Sequence, residues 1–145
     1  MVKKHIKAND TYENIVLQWG REFMLEALPD RKPDLVEHSL RRFKDDLHER
    51  RVFLLLDNNK PVSMTPKGRE SPNSVVFNNV YTRPSLRRKG YAIRCVATLS
   101  KCILDEGNKF CFLFTDLSYP TSNCNYQKIC YRLIIDIDEC QFIKI

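Results

Sequence analysis

The sequence predicts a mixed α/β fold, organised as one domain over residues 1–145. Three observations predict it. Amphipathic helical stripes and short apolar runs succeed one another in the order α-α-β-β-β-α-β-α-β-β. Helices fall between the long strand at 74–81, Phe110–Phe114 and the last hairpin, as crossovers within one sheet require. Phe110-Cys111-Phe112-Leu113-Phe114 is apolar at every position, which suits a strand whose two faces are both covered.

Each element has a local reason. Asp10-x-x-Glu13 is a capping-box start, and Tyr12, Ile15, Val16, Trp19 and Phe23 recur at helical spacing after it. Leu28-Pro29-Asp30 ends that helix. Asp34-x-x-Glu37 opens a second, with Leu35, Leu40, Phe43 and Leu47 on one stripe. Val52–Leu56 reads as a strand, Asp57-Asn58-Asn59-Lys60 as a turn, and Pro61–Met64 as its hairpin partner. Gly, Pro and charge make Lys67–Asn73 an exposed loop. Ser74–Tyr81 is a longer strand, in which Asn78-Asn79 suggests a bulge. A helix from Gly90 to Glu106 turns Ile93, Val96, Ala97, Ser100, Ile103 and Leu104 inward, and Gly107 suits its C′ position. A short helix begins at Thr121 or Ser122. Leu133–Ile137 and Cys140–Ile145 read as two closing strands.

Composition narrows the function classes. A hydrophobic content of 43% and a charged content of 29% are those of an ordinary globular chain. No apolar run approaches the roughly 20 residues of a membrane span. The first residues lack a signal-type stretch, so a cytoplasmic location is expected, with no membrane partner. The six cysteines include no C-x-x-C pair and lie far in sequence from the three histidines. No metal site is expected, and the cysteines read as reduced and mostly buried. A net charge of +6 favours anionic partners, either nucleic acid or a small polyphosphate. The Arg41–Arg51 cluster is interrupted by Asp45, Asp46 and Glu49, which reads as a solvated helix face and not a nucleic-acid stripe.

Two segments carry chemistry. Arg87-x-x-Gly90-x-Ala92 stands at a strand-to-helix junction. The first turn of a helix has unpaired N–H groups and partial positive charge, and Gly90 and Ala92 let a phosphate come close. Arg87, Arg88 and Lys89 add charge. Neither a Walker loop nor a dinucleotide fingerprint is present. The second segment is Asn123-x-x-Tyr126 on the short helix. On spacing alone, Asn123 is either a helix cap or a ligand contact. Tyr126 packs against Ile129 and Cys130 or offers its phenol to a site.

Val80–Ala92, the helix and apolar strand after it, and Thr121-Ser122-Asn123-x-x-Tyr126-x-Lys128-x-x-Tyr131 together resemble the GNAT superfamily of acetyl-coenzyme A-dependent N-acetyltransferases. The resemblance is clearest over Arg51–Ile145. It implies a mostly antiparallel central sheet with helices on both faces, and Val2–Ala8 is the candidate for the family's first strand. It implies that the backbone N–H groups of Arg88, Lys89, Gly90, Tyr91 and Ala92 hold the pyrophosphate of acetyl-CoA, with Arg87 beside them. Val80, Tyr81 and Thr82 would pair their main chain with the pantetheine arm, in the opening between this strand and Phe110–Thr115. Asn123 would hydrogen-bond the arm. An amine acceptor, a small molecule or peptide, would attack the acetyl carbon directly. An N–H near Val80 or Tyr81 would meet the oxyanion, and Tyr126 would protonate the leaving thiolate.

Two positions depart from that pattern. The family often carries a carboxylate on the strand before the glycine turn, where this chain has Asn78 and Asn79. Asp116 is the nearest replacement by element order, and Glu70 or a water relay are the others. Cys130 stands where the family usually has glycine before an aromatic residue. The missing strand carboxylate motivates an alternative, a non-catalytic coenzyme A-binding regulatory module. The C-terminal strand leaves an edge on which a homodimer could form.

Overall fold

A computed structural model describes residues 3–27, 29–77, 80–114, 120–132, 134, 135 and 137, with backbone alone at 120–123. It divides into two compact units, Met1–Phe114 and Thr115–Ile145.

The first unit is built on a five-stranded sheet in the order β1-β2-β3-β4-β5. These strands are β1 (Lys3–Lys7), β2 (Val52–Asp57), β3 (Lys60–Ser71), β4 (Ser74–Phe77) and β5 (Phe110–Leu113). The first four pair antiparallel, and β4 pairs parallel with β5. The sheet is therefore mixed and mostly antiparallel, as the family resemblance implies. The N-terminal segment forms a full edge strand, from Lys3↔Asp57 to Lys7↔Phe53.

The β2–β3 turn is as short as a hairpin allows. Asn58 and Asn59 both take positive φ, 50° and 64°, and Asp57 pairs with Lys60. Asparagine tolerates this backbone, and two left-handed residues match the strand twist. Strand β3 runs on through the segment expected to be a loop. A two-residue turn at Pro72-Asn73 leads directly into β4. Arg51 explains part of this: its guanidinium donates to the carbonyls of Lys67 and Gly68 and pairs with Glu70. Charged residues there decorate an extended strand instead of breaking it. The bulge expected at Asn78-Asn79 lies outside the described residues.

Helices α1 (Glu13–Ala27) and α2 (Pro33–His48) pack on one sheet face. Both begin differently from the expectation. Asn9, not Asp10, caps the first, its Oδ1 accepting from Thr11 N at 3.0 Å, and a 3-10 turn over Asp10–Tyr12 leads into α1. Pro33 opens α2 after Lys32, with no side-chain cap, because its fixed φ is already helical. Val36 takes the inward place expected for Leu35, which is exposed. Val16, Trp19, Met24, Leu40, Phe43 and Leu47 join Val52, Leu54, Leu56 and Met64 in the main core.

Helix α3 (Tyr91–Asp105) packs against β2 and β3, with Cys95 against Leu55 and Val62. Its buried residues are Cys95, Val96, Leu99 and Ile103, so the face is rotated from the expected stripe and Leu104 is exposed. Gly107 ends it at φ 104°, its N–H donating to Leu104 O at 3.0 Å. Strand β5 is less covered than its sequence implied: Phe110 is 57% exposed. It stands at the edge of the described sheet, so no described strand shields its outer side. The cysteines also differ from expectation. Of those described, Cys95 is buried, Cys111 half-buried, and Cys102, Cys124 and Cys130 exposed.

The second unit contains α4 (Pro120–Lys128). The expected closing strands lie mostly outside the described residues; Ile134, Ile135 and Ile137 carry no strand pairing and are exposed. Among the described residues no helix is long and apolar enough to cross a membrane.

Candidate active site

After β4, Tyr81 makes an isolated bridge to β3 whose bond pattern matters for chemistry. Tyr81 N donates to Met64 O, and Met64 N donates to Tyr81 O, both at 2.9 Å. In extended backbone, adjacent residues turn their N–H and C=O to opposite sides. Tyr81 has committed both groups to β3. Those of Val80 and Thr82 therefore face the other way, toward the side on which β5 pairs with β4. The Thr82 carbonyl accordingly accepts from Arg87 Nε at 2.8 Å. The last β4–β5 pair is Phe77↔Leu113. Tyr81 N–H is already spent, which leaves the Val80 peptide as the outward-facing one.

Side chains hold this strand end tightly. Thr82 Oγ1 shares a 2.9 Å hydrogen bond with buried Ser63 Oγ, which also reaches Tyr81 O at 3.2 Å. The Tyr81 ring is buried between Trp19 and Phe23 of α1, at centroid distances of 6.0 and 6.5 Å. Its hydroxyl donates to Glu22 Oε2 at 2.8 Å. Burial, then the bond to Glu22 and its charge, push the Tyr81 phenol up to about 12.

The glycine turn follows. Pro84–Leu86 forms a 3-10 turn, then Arg88 and Gly90 both take left-handed backbone, at φ 65° and 76°. Gly90 is the N-cap of α3, and its carbonyl takes the first helical bond, from Arg94 N at 3.1 Å. The N–H groups of Tyr91, Ala92 and Ile93 precede that bond and so lack intrahelical acceptors. A Cβ added at Gly90 would meet nothing within 4 Å. The glycine is needed for its φ, and open space lies beside the first helical turn. Tyr91 anchors that turn to the β2 end, its hydroxyl donating to Asp57 Oδ2 at 2.7 Å. That bond raises the Tyr91 pKa.

The three basic residues of the turn are not equivalent. Arg87 gives Nη1 and Nη2 to the two Glu26 carboxylate oxygens at 2.8 and 2.7 Å. Its guanidinium also lies 5.7 Å from the Tyr81 ring centroid. Arg88 and Lys89 are exposed. Sequence reasoning missed Glu22 and Glu26. The signal available was spacing: Gln18, Glu22 and Glu26 recur every four residues and so share one stripe of α1.

In the second unit, Tyr126 lies on α4 and its ring meets that of Tyr131 at 6.2 Å, edge to face. Tyr131 N donates to Tyr126 O at 3.1 Å. Cys130 takes φ 75°. The position where the family usually has glycine is thus a left-handed one, filled here by a cysteine. The backbone of Asn123 is helical, within α4. Asp116 lies outside the described residues. Glu70 sits on β3 beside Lys67 and Arg51, and the Lys67 hydrogen bond holds its carboxyl below the usual range.

Residues 63–143 match the family described as FR47-like protein, over more than half of the chain. The chain belongs to the FR47-like family, and with it to the GNAT superfamily. No curated protein matches it in sequence. Solved structures carry the same GNAT fold at low identity. A predicted acetyltransferase from Clostridium acetobutylicum, crystallised with acetyl-CoA, is 15% identical with a TM-score of 0.70, over 99% of this chain and 96% of that one. The PaiA N-acetyltransferase of Thermoplasma acidophilum, in complex with coenzyme A, is 13% identical with a TM-score of 0.74, over 95% and 94%. AAC(6')-Iy, in complex with the bisubstrate analogue CoA-S-monomethyl-acetylneamine, is 16% identical with a TM-score of 0.65, over 97% and 100%.

Proposed function

We propose that this GNAT protein moves an acetyl group from acetyl-CoA to a primary amine by direct attack. The observation that carries this is the turn at Arg88–Gly90. Two left-handed residues precede a helix whose first N–H groups lack intrahelical acceptors, beside open space. Such a turn suits a diphosphate.

The N–H groups of Arg88, Lys89, Gly90, Tyr91 and Ala92 would hold the pyrophosphate, with Arg88 and Lys89 supplying charge. Arg87 would hold the turn in place through Glu26. The outward Val80 peptide would meet the pantetheine arm and the oxyanion, and Tyr81 and Thr82 would fix its direction. A main-chain N–H already aimed at the developing charge stabilises it without reorganising. Asn123 would bind the arm and Tyr126 would protonate the leaving thiolate. Asp116 is the proposed base by its place after β5. The acceptor's ammonium has to lose a proton first, which for a lysine-like amine costs about 4–5 kcal/mol at neutral pH.

Calorimetry with acetyl-CoA, followed by thiol release over an amine panel, tests the proposal. Binding with turnover is expected, and Tyr126→Phe should slow turnover without weakening acetyl-CoA binding. Failure of the wild-type protein to bind acetyl-CoA would overturn the reading.

A further inference from the structure

Glu22 and Glu26 stand one helical turn apart on α1, yet they are held by different chemistry. Glu26 is met by both terminal nitrogens of Arg87, which neutralise it. Glu22 is held by two neutral donors: Gln18 Nε2 reaches Oε1 at 3.0 Å and the Tyr81 hydroxyl reaches Oε2 at 2.8 Å. Among the described residues Glu22 makes no ion pair. Its carboxylate is fixed in direction by two neutral donors, and neither of these bonds carries a positive charge to it. It is also only half-buried, so a solvated cation can reach it.

The location of this carboxylate gives it a use. Tyr81 belongs to the core that α1 and α2 form on one sheet face, whereas α3 packs on the other face through Cys95. The phosphate turn opens α3. A donor anchored there would lie on the α3 side of the Val80 peptide, and the α1 side would then be the one left for the acceptor. Glu22 is tied to the residue next to Val80 on that side.

We propose that Glu22 is the acceptor-binding carboxylate, taking one ammonium of a diamine-type acceptor while its other, deprotonated amine attacks, and selecting against acceptors without that charge. This rests on the acetyl-transfer reading and names the substrate class for it. Gln18 and Tyr81 are positioning residues that aim the carboxylate. A charged hydrogen bond of this kind is roughly twice as strong as a neutral one, so discrimination against an alcohol of the same shape follows.

The test is calorimetric titration of the coenzyme A-loaded protein with 1,5-diaminopentane and with pentane-1,5-diol. The wild type should bind the diamine and not the diol. Glu22→Gln, which keeps the side-chain shape, should weaken diamine binding at least about tenfold and leave acetyl-CoA affinity unchanged. Glu22→Asp should retain the preference for the diamine, and Tyr81→Phe should weaken it by an intermediate factor. If acetyl-CoA binds but the wild type fails to prefer the diamine, or Glu22→Gln binds it as tightly as the wild type, this inference alone is overturned. If the wild type binds no acetyl-CoA, the transfer reading falls, and this inference with it.

Discussion

Arg87 grips Glu26 with both terminal nitrogens while its Nε donates to the Thr82 carbonyl, so one guanidinium joins helix α1, the strand end and the glycine turn. Both partners are partly exposed, and a pair of that kind adds little to global stability, about 0–1 kcal/mol. Its value lies in holding the turn before a ligand arrives. Arg87→Lys cannot reproduce the planar fork. The variant should unfold within about 1 kcal/mol of the wild type in urea. Its acetyl-CoA affinity should nevertheless fall several-fold in calorimetry. Unchanged affinity would mean that the turn keeps its shape without the fork.

Gly90 should tolerate alanine sterically and resist it conformationally. Nothing lies within 4 Å of an added Cβ, yet φ is 76°. A left-handed alanine costs about 1–2 kcal/mol. Gly90→Ala should therefore lose about that much in chemical denaturation. The new methyl would project into space proposed for phosphate, so acetyl-CoA binding should weaken as well. A stability loss with full affinity would place the phosphate elsewhere.

Cys130 offers the reverse experiment. At φ 75° the cysteine bears strain that glycine would not. Cys130→Gly removes that cost, offset in part by the greater freedom of glycine in the unfolded chain. A net gain of about 0.5–1 kcal/mol is expected, read as a higher urea midpoint with an unchanged slope. A loss would show that the thiol contributes more than its backbone costs.

Alkaline pH should expose the Tyr81–Glu22 bond. The phenol titrates near 12 when folded and near 10 in an unfolded chain. A folded pKa above the unfolded one contributes stability that is complete below about pH 10 and lost as pH rises through about 12. Stability measured against pH should fall across that window in the wild type. In Tyr81→Phe the fall should be shallower, because the titrating group is gone. Identical profiles would show that the phenol does not stay protonated in the folded state.

Much of this architecture was legible in the sequence where one physical signal dominated. The Val52–Leu56 strand, the Asn58-Asn59 turn and the α3 region announce themselves by periodicity and turn chemistry, and Gly107 ends its helix as its residue type implies. Errors fell where two signals competed. Lys67, Gly68 and Arg69 look like a loop, but Arg51 ties their carbonyls from across the hairpin, a long-range contact that local composition cannot carry. Leu35 and Val36 are adjacent, and either could begin the α2 stripe; tertiary packing chose Val36. In the candidate site, Gly90 was legible because a positive φ favours one residue type. Glu22 and Glu26 were not, because a carboxylate on a helix surface looks the same in sequence whether or not it has a distant partner. The partners, Tyr81 and Arg87, lie about sixty residues away.

The reciprocal bond between Tyr81 and Met64 behaves like a reading frame. Because the two sides of an extended chain alternate residue by residue, the peptide that faces outward is set by which residue pairs with Met64. If the bond itself slipped by one, the outward peptide would move to Tyr81 and the phenol would leave the α1 core. For this chain, the register of Tyr81 against Met64 is therefore a stricter inheritance than composition.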